Sequence, residues 1–157
     1  MHAYVSKERR RLQTKKNPQK EHDSVQRESL RILHVDDDSS FLRVSKLILE
    51  LENEFKVETA TSVNEAFCKL KTQPYDAIVC DYDMPIKNGL DFLKELREQK
   101  NLITFVIFTG RGKEEVAIRA LNLGADYYIN KNSSTEEVYC ELANAIRNIA
   151  EQKEKWA

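Results

Sequence analysis

Cysteine is scarce and carries no pattern. The three in 157 residues, Cys68, Cys80 and Cys140, are odd in number and widely spaced, without a paired redox or metal motif. A disulfide framework is excluded; three reduced thiols are expected, with Cys80 buried. No apolar run approaches the roughly 20 residues of a membrane helix. The first residues are charged and polar where a secretory leader would be apolar, so a cytoplasmic protein is expected. With 41% apolar and 32% charged residues, the composition is that of an ordinary globular chain, long enough for one domain with a proper core.

Charge is unevenly placed. Residues 1–29 hold eight Lys/Arg against four Asp/Glu, or +4, and the remainder holds 17 against 22, or −5. The basic segment, centred on Arg9, Arg10, Arg11, Lys15, Lys16 and Lys20, has almost nothing large and apolar to bury. Such a run can touch nucleic acid, but its composition fits a solvated, disordered tail better, and nucleic-acid binding is not expected.

From Leu30 onward two periodicities alternate. Short β-rich runs stand at 31–36, 55–61, 76–81, 103–108 and 126–130. The first, third and fourth are nearly continuous in apolar residues, as parallel strands covered on both faces are. Helical stretches follow them, with Phe41, Val44, Ile48 and Leu51 on one face, then Val63, Ala66, Phe67 and Leu70, and finally Val138, Leu142, Ile146 and Ile149. Ser39 or Ser40 can cap the first helix and Gly124 can end the fourth. Five strands alternating with five helices imply an α/β fold, a doubly wound (βα)5 domain over 30–150 with a parallel sheet. The charged residues 151–157 read as a helical extension.

In such sheets ligands bind outside the carboxyl ends of the strands. Asp36, Asp37 and Asp38 stand at the first of these ends, Asp81 and Asp83 at the third, Thr109 and Gly110 at the fourth, and Lys131 after the fifth. Taken singly, each is a common turn former, helix cap or surface residue. Together they crowd carboxylates that repel by roughly 4 kcal/mol per pair at 4 Å and an effective dielectric near 20. A hard dication with oxygen ligands, Mg²⁺ above all, relieves this. Asp36, Asp37, Asp81, the ion and Lys131 then balance to neutrality, which suits a site receiving a phosphoryl group.

The segments ILHVDDD, IVCDYDMPIKNGLDFLKEL, VIFTGRG and ALNLGADYYINK resemble, in order and spacing, the response-regulator receiver domain of two-component signalling (the CheY-like superfamily), across residues 30–150. The resemblance implies the flavodoxin-like strand order 2-1-3-4-5. It implies Asp81 as phosphoacceptor, Mg²⁺ held by Asp36, Asp37, Asp81 and the backbone carbonyl of Asp83, and Thr109 and Lys131 on the phosphoryl oxygens. Thr109 and Tyr128 would be the switch pair, Tyr128 turning inward as Thr109 is drawn to the phosphate. A sensor histidine kinase or phosphotransfer protein would be the donor, and a downstream partner would read the face made by helix 4, strand 5 and helix 5. Such a domain accepts a phosphoryl group and slowly loses it; it is not a turnover enzyme.

In one respect the chain departs from the family, in which proline usually follows the lysine in a cis peptide. Here Asn132 follows Lys131, and a cis bond to a non-proline residue costs roughly 2.5–4 kcal/mol, so a trans bond and a looser lysine are expected. Two other readings compete. Asp81–Tyr82–Asp83 imitates the nucleophile-x-acid pair of a Mg²⁺-dependent aspartyl-phosphate phosphatase, but there the pair lies on the first strand and further acids follow rather than precede it. A receiver-like module that only binds partners would not need every chemical position filled. His34, inside the first strand, is expected to be satisfied or half-buried rather than a ligand, and no histidine is placed as an internal phosphodonor. After residue 150 only EQKEKWA follows, so the regulator either acts alone or is a piece of a longer signalling chain.

Overall fold

The computed structural model describes residues 28–51, 53–110 and 114–155. Most of the basic segment, residues 1–27, lies outside them, as do residues 156–157 of the C-terminal extension. The elements alternate strictly: β1 (Leu30–Val35), α1 (Ser39–Glu50), β2 (Phe55–Ala60), α2 (Val63–Thr72), β3 (Ala77–Cys80), α3 (Gly89–Glu98), β4 (Thr104–Thr109), α4 (Glu114–Asn122), β5 (Tyr127–Asn130) and α5 (Thr135–Lys155). The five strands are parallel, in the order β2-β1-β3-β4-β5.

Alternate residues of the central strands feed two cores. Leu33, Val35, Ile78, Cys80, Phe105 and Ile107 face α2, α3 and α4, where Ala66, Leu93 and Ala120 meet them. Ile32, Ala77, Val79, Val106 and Phe108 face α1 and α5, against Leu49, Val138, Leu142 and Ile146. Both faces being covered, the strands carry the apolar runs visible in the sequence. Cys80 is buried, and Cys68 and Cys140 are exposed; all three are free. No helix among the described residues is long and apolar enough to cross a membrane.

The α2 and α5 faces are as the periodicity predicts, but the α1 face is not. Val44 and Leu51 are 53% and 76% exposed, and the buried residues are Leu42, Ser45 and Leu49. Apolar residues occur almost all round α1, so periodicity alone cannot say which stripe meets the sheet. The cap also differs from expectation. Neither Ser39 nor Ser40 is the N-cap; Asp38 is, its carboxylate accepting the backbone N–H groups of Ser40 and Phe41 at 3.0 Å each. Gly124 does end α4. At φ 96° it lets its own N–H reach Leu121 and that of Ala125 reach Ala120, at 3.0 and 2.9 Å, the paired bonds of a left-handed helix stop.

Candidate functional site

Strand register assembles the site. Val35 pairs with Cys80 and Thr109 with Asn130, so the residue after each strand emerges on the same edge. The backbone continues the ladder one step further: Asp81 N–H donates to Val35 O at 2.9 Å, and Lys131 N–H to Thr109 O at 3.1 Å. Asp36, Asp37, Asp38, Asp81, Asp83, Thr109, Gly110 and Lys131 consequently line one cleft of about 410 Å³.

Carboxylate oxygens of Asp36, Asp37 and Asp81 lie within 4.8 Å of one another. Asp36 and Asp81 are buried and Asp37 is exposed. An all-oxygen set of this charge fits a hard dication such as Mg²⁺ and not a soft metal. Asp38 plays a different part: its carboxylate caps α1, and its N–H donates to Asp36 Oδ1 at 2.9 Å, holding that side chain in place.

Burial pushes the Asp81 carboxyl above its ordinary range. The Lys131 ammonium and a hydrogen bond from Thr109 oppose the shift, Asp36 adds to it, and the Tyr82 N–H opposes it. That last bond, to Asp81 Oδ1, is 2.9 Å long. Behind Asp81 the chain turns so closely that only glycine fits at 89. A Cβ there would press on the Asp81 carbonyl oxygen and come within 3.2 Å of its carbon. Gly89 N–H donates to Tyr82 O at 2.9 Å, and a capping box between Asn88 and Asp91 then starts α3. Between them Ile86, 94% exposed, sits at φ 71°, a left-handed conformation that β-branched residues rarely adopt.

Lys131 is held from several sides. Its Nζ is 2.7 Å from Asp36 Oδ2 and 3.7 Å from Asp81 Oδ1, and it stands 4.1 Å from the centroid of the Phe41 ring and 5.4 Å from that of Phe108. The peptide to Asn132 is trans, as expected, there being no cis bond among the described residues. The loop is nevertheless fastened. Asn132 Nδ2 donates to Gly110 O at 3.2 Å, and Asn132 N–H to Asn130 Oδ1 at 2.9 Å. The expectation of a loose lysine is therefore corrected: an amide side chain ties the β5–α5 loop to the β4–α4 loop.

Sequence reading did not assign Phe41, Phe108 or the Asn132 bond to the site. Phe41 reads simply as core, and the available signal is its place on the first turn of a helix that starts at the acidic edge. Tyr128 does not line the cleft. It packs with Tyr82 against the core facing α2, α3 and α4. Its hydroxyl is already buried, without a partner among the described residues, and burial, then the charges of Asp81 and Tyr82, raise its pKa. His34 corrects a second expectation. It is neither half-buried nor satisfied: its exposure is 0%, and neither ring nitrogen has a hydrogen-bond partner among the described residues.

The response regulator receiver domain model matches residues 32–143. The chain belongs to the response-regulator receiver family. This receiver is 36% identical over 118 residues to the response regulator SaeR of Staphylococcus aureus, an overlap covering 75% of this chain and 51% of SaeR. The chain thus spans about half the length of the curated relatives it matches. Among solved structures it is similar to the receiver domain of the Francisella response regulator 1452, with 29% identity and a TM-score of 0.71 over 80% of this chain and 99% of that one. A CheY-like receiver domain protein of Methanospirillum hungatei JF-1 is also 29% identical, with a TM-score of 0.72 over 82% and 99% of the two chains. A receiver of this family works in a two-component system with a histidine kinase or phosphotransfer partner, and typically takes Mg²⁺ at an acidic cleft like this one.

Proposed function

We propose that this receiver accepts a phosphoryl group on Asp81 from the phosphohistidine of a sensor kinase or phosphotransfer protein. The observation that carries the reading is the convergence of the Asp36, Asp37 and Asp81 carboxylates within 4.8 Å, with the Lys131 ammonium 3.7 Å from Asp81. A carboxylate oxygen of Asp81 attacks phosphorus in line, the phosphorus–nitrogen bond breaks, and the donor imidazole leaves. Asp36, Asp37, Asp81 and the Asp83 carbonyl would hold Mg²⁺, which when bound supplies positive charge to the transferring oxygens.

The chain's own residues do the rest. Burial holds the Asp81 carboxyl up, while Lys131, Thr109 and the Tyr82 N–H favour its ionised form, the form that attacks. Lys131 turns from Asp36 toward the arriving phosphoryl oxygens. The Thr109 hydroxyl, at the end of β4, moves its hydrogen bond to the same oxygens. Tyr128, on the neighbouring strand β5, feels that movement, and the α4–β5–α5 face reports it to a partner. Ile118, Leu121 and Tyr127 are exposed apolar residues on α4 and β5, suited to such a contact.

Acetyl phosphate with and without Mg²⁺, followed by intact-mass spectrometry, tests the reading. One phosphate is expected on the wild type with Mg²⁺, and none without it or on Asp81→Asn. Equal uptake by the variant would exclude Asp81 as the acceptor.

A further inference from the structure

The ammonium of Lys131 has two kinds of neighbour. Two are carboxylates, Asp36 and Asp81. The others are the rings of Phe41 and Phe108, 4.1 and 5.4 Å from Nζ. The rings are fixed from below. Phe108 and His34 are 1% and 0% exposed. His34 meets Phe41 edge-on at 5.9 Å and Phe108 at 6.0 Å, and Phe41 and Phe108 are 6.0 Å apart. Phe41 is also pinned by its backbone, whose N–H donates to the Asp38 carboxylate at 3.0 Å. The Lys131 side chain is 20% exposed, so little water competes for the contact, and a cation over an aromatic face gains most when water is excluded.

We propose that Phe41 is a positioning residue for phosphoryl acceptance, its ring face seating the Lys131 ammonium between Asp36 and Asp81. This rests on reading Asp81 as the acceptor. A lysine gripped by carboxylates alone would follow the nearer one, Asp36, and lose its anchor once that carboxylate is engaged elsewhere. The ring supplies a seat with no formal negative charge, so it neither competes for a dication nor repels an arriving phosphoryl group. It leaves the ammonium free to slide the short distance to Asp81. A leucine at 41 would fill much of the same space and offer no negative face.

Full-length Phe41→Leu, Phe41→Tyr, Lys131→Met and Phe41→Leu/Lys131→Met proteins test this by their rates of phosphate uptake from acetyl phosphate with Mg²⁺. Phe41→Leu is expected to be slower by about fivefold, the order of one cation–π contact, and Phe41→Tyr to stay within about twofold of wild type because it keeps the face. In the Lys131→Met background, Phe41→Leu should cost nothing further. The second readout needs no phosphate: ring current should displace the Lys131 ε-methylene proton resonances upfield in wild type and Phe41→Tyr, and release them in Phe41→Leu. Wild-type uptake that Phe41→Leu leaves unchanged, an equal loss without the lysine, or undisplaced methylene resonances in wild type would overturn the positioning role alone. No uptake by wild type overturns the Asp81 reading, and the role of Phe41 with it.

Discussion

Lys131 lies 1 Å closer to Asp36 than to Asp81, its Nζ at 2.7 Å from the first carboxylate and 3.7 Å from the second. The Asp36 side chain is 3% exposed, so the pair is a buried ion bridge. Sequence alone suggests that removing either acid of the 36–37 pair relieves repulsion. The geometry separates them. Asp36→Ala takes away the nearer of the lysine's two carboxylates, leaving Asp81 and the rings, and costs about 1–3 kcal/mol of metal-free stability, while Asp37→Ala, at an exposed position, stays within about 0.5 kcal/mol. Urea unfolding of both variants without metal checks this, and equal midpoints would contradict it.

The same ammonium competes with a bound cation. Lys131→Met should take up Mg²⁺ at least about tenfold more tightly, since a unit positive charge beside a dication opposes it by several kcal/mol even at an effective dielectric near 20. Calorimetric titration with MgCl₂ measures the change; unaltered affinity would mean that the lysine does not sense the ion.

His34 is a neutral, buried imidazole whose nitrogens have no hydrogen-bond partner among the described residues, and such an orphaned group costs about 1–3 kcal/mol. His34→Val should therefore raise stability at neutral pH by about 1 kcal/mol. Its pH dependence has a definite sign. Burial first, and the Lys131 charge second, lower its pKa from 6.5 to about 3. Below 6.5 the unfolded chain takes a proton that the native chain refuses. The stability held by neutral His34 is complete above 6.5 and drains away as pH falls toward 3, by at most about 1.4 kcal/mol per pH unit. The raised pKa of Asp81 acts in the opposite sense but is common to both proteins and cancels in their difference. Denaturation midpoints of the pair, followed downward from neutral pH, should diverge in favour of the variant.

Asn132→Pro should slow phosphate uptake rather than speed it. Proline cannot donate to Asn130 Oδ1 and carries no amide to reach Gly110, so two hydrogen bonds go, at about 1 kcal/mol each. Thermal melting and the acetyl phosphate reaction, followed by Tyr82→Trp fluorescence in both backgrounds, report the two effects. A faster, more stable variant would show that the amide latch is unimportant.

The strand ends were legible because chemistry and periodicity point the same way there. Short apolar runs stop at Asp36, Asp81 and Thr109, and a parallel sheet can only put such stops on one edge. What stayed hidden depends on partners distant in sequence. α1 and its C-cap carry apolar residues at 41, 42, 44, 47, 48, 49 and 51, and only the approach of β2 and α5 selects Leu42, Ser45 and Leu49. Three aspartates followed by two serines leave the cap ambiguous until the backbone shows Asp38 at the last extended position. Nothing local to His34 says that no polar group among the described residues will reach it, and nothing local to Phe41 says that residue 131 will lie across its ring.

The Asp36–Lys131 contact joins residues 95 positions apart. During synthesis Asp36, Asp37 and Asp81 leave the ribosome well before Lys131, so a chain holding only the first four strands would carry these acids without their counter-charge. Long-range pairing of this kind is slow and comes late. The lysine just after β5 therefore acts as a completion mark: the cleft reaches its working balance of charge only when translation has passed residue 131 and β5 has docked.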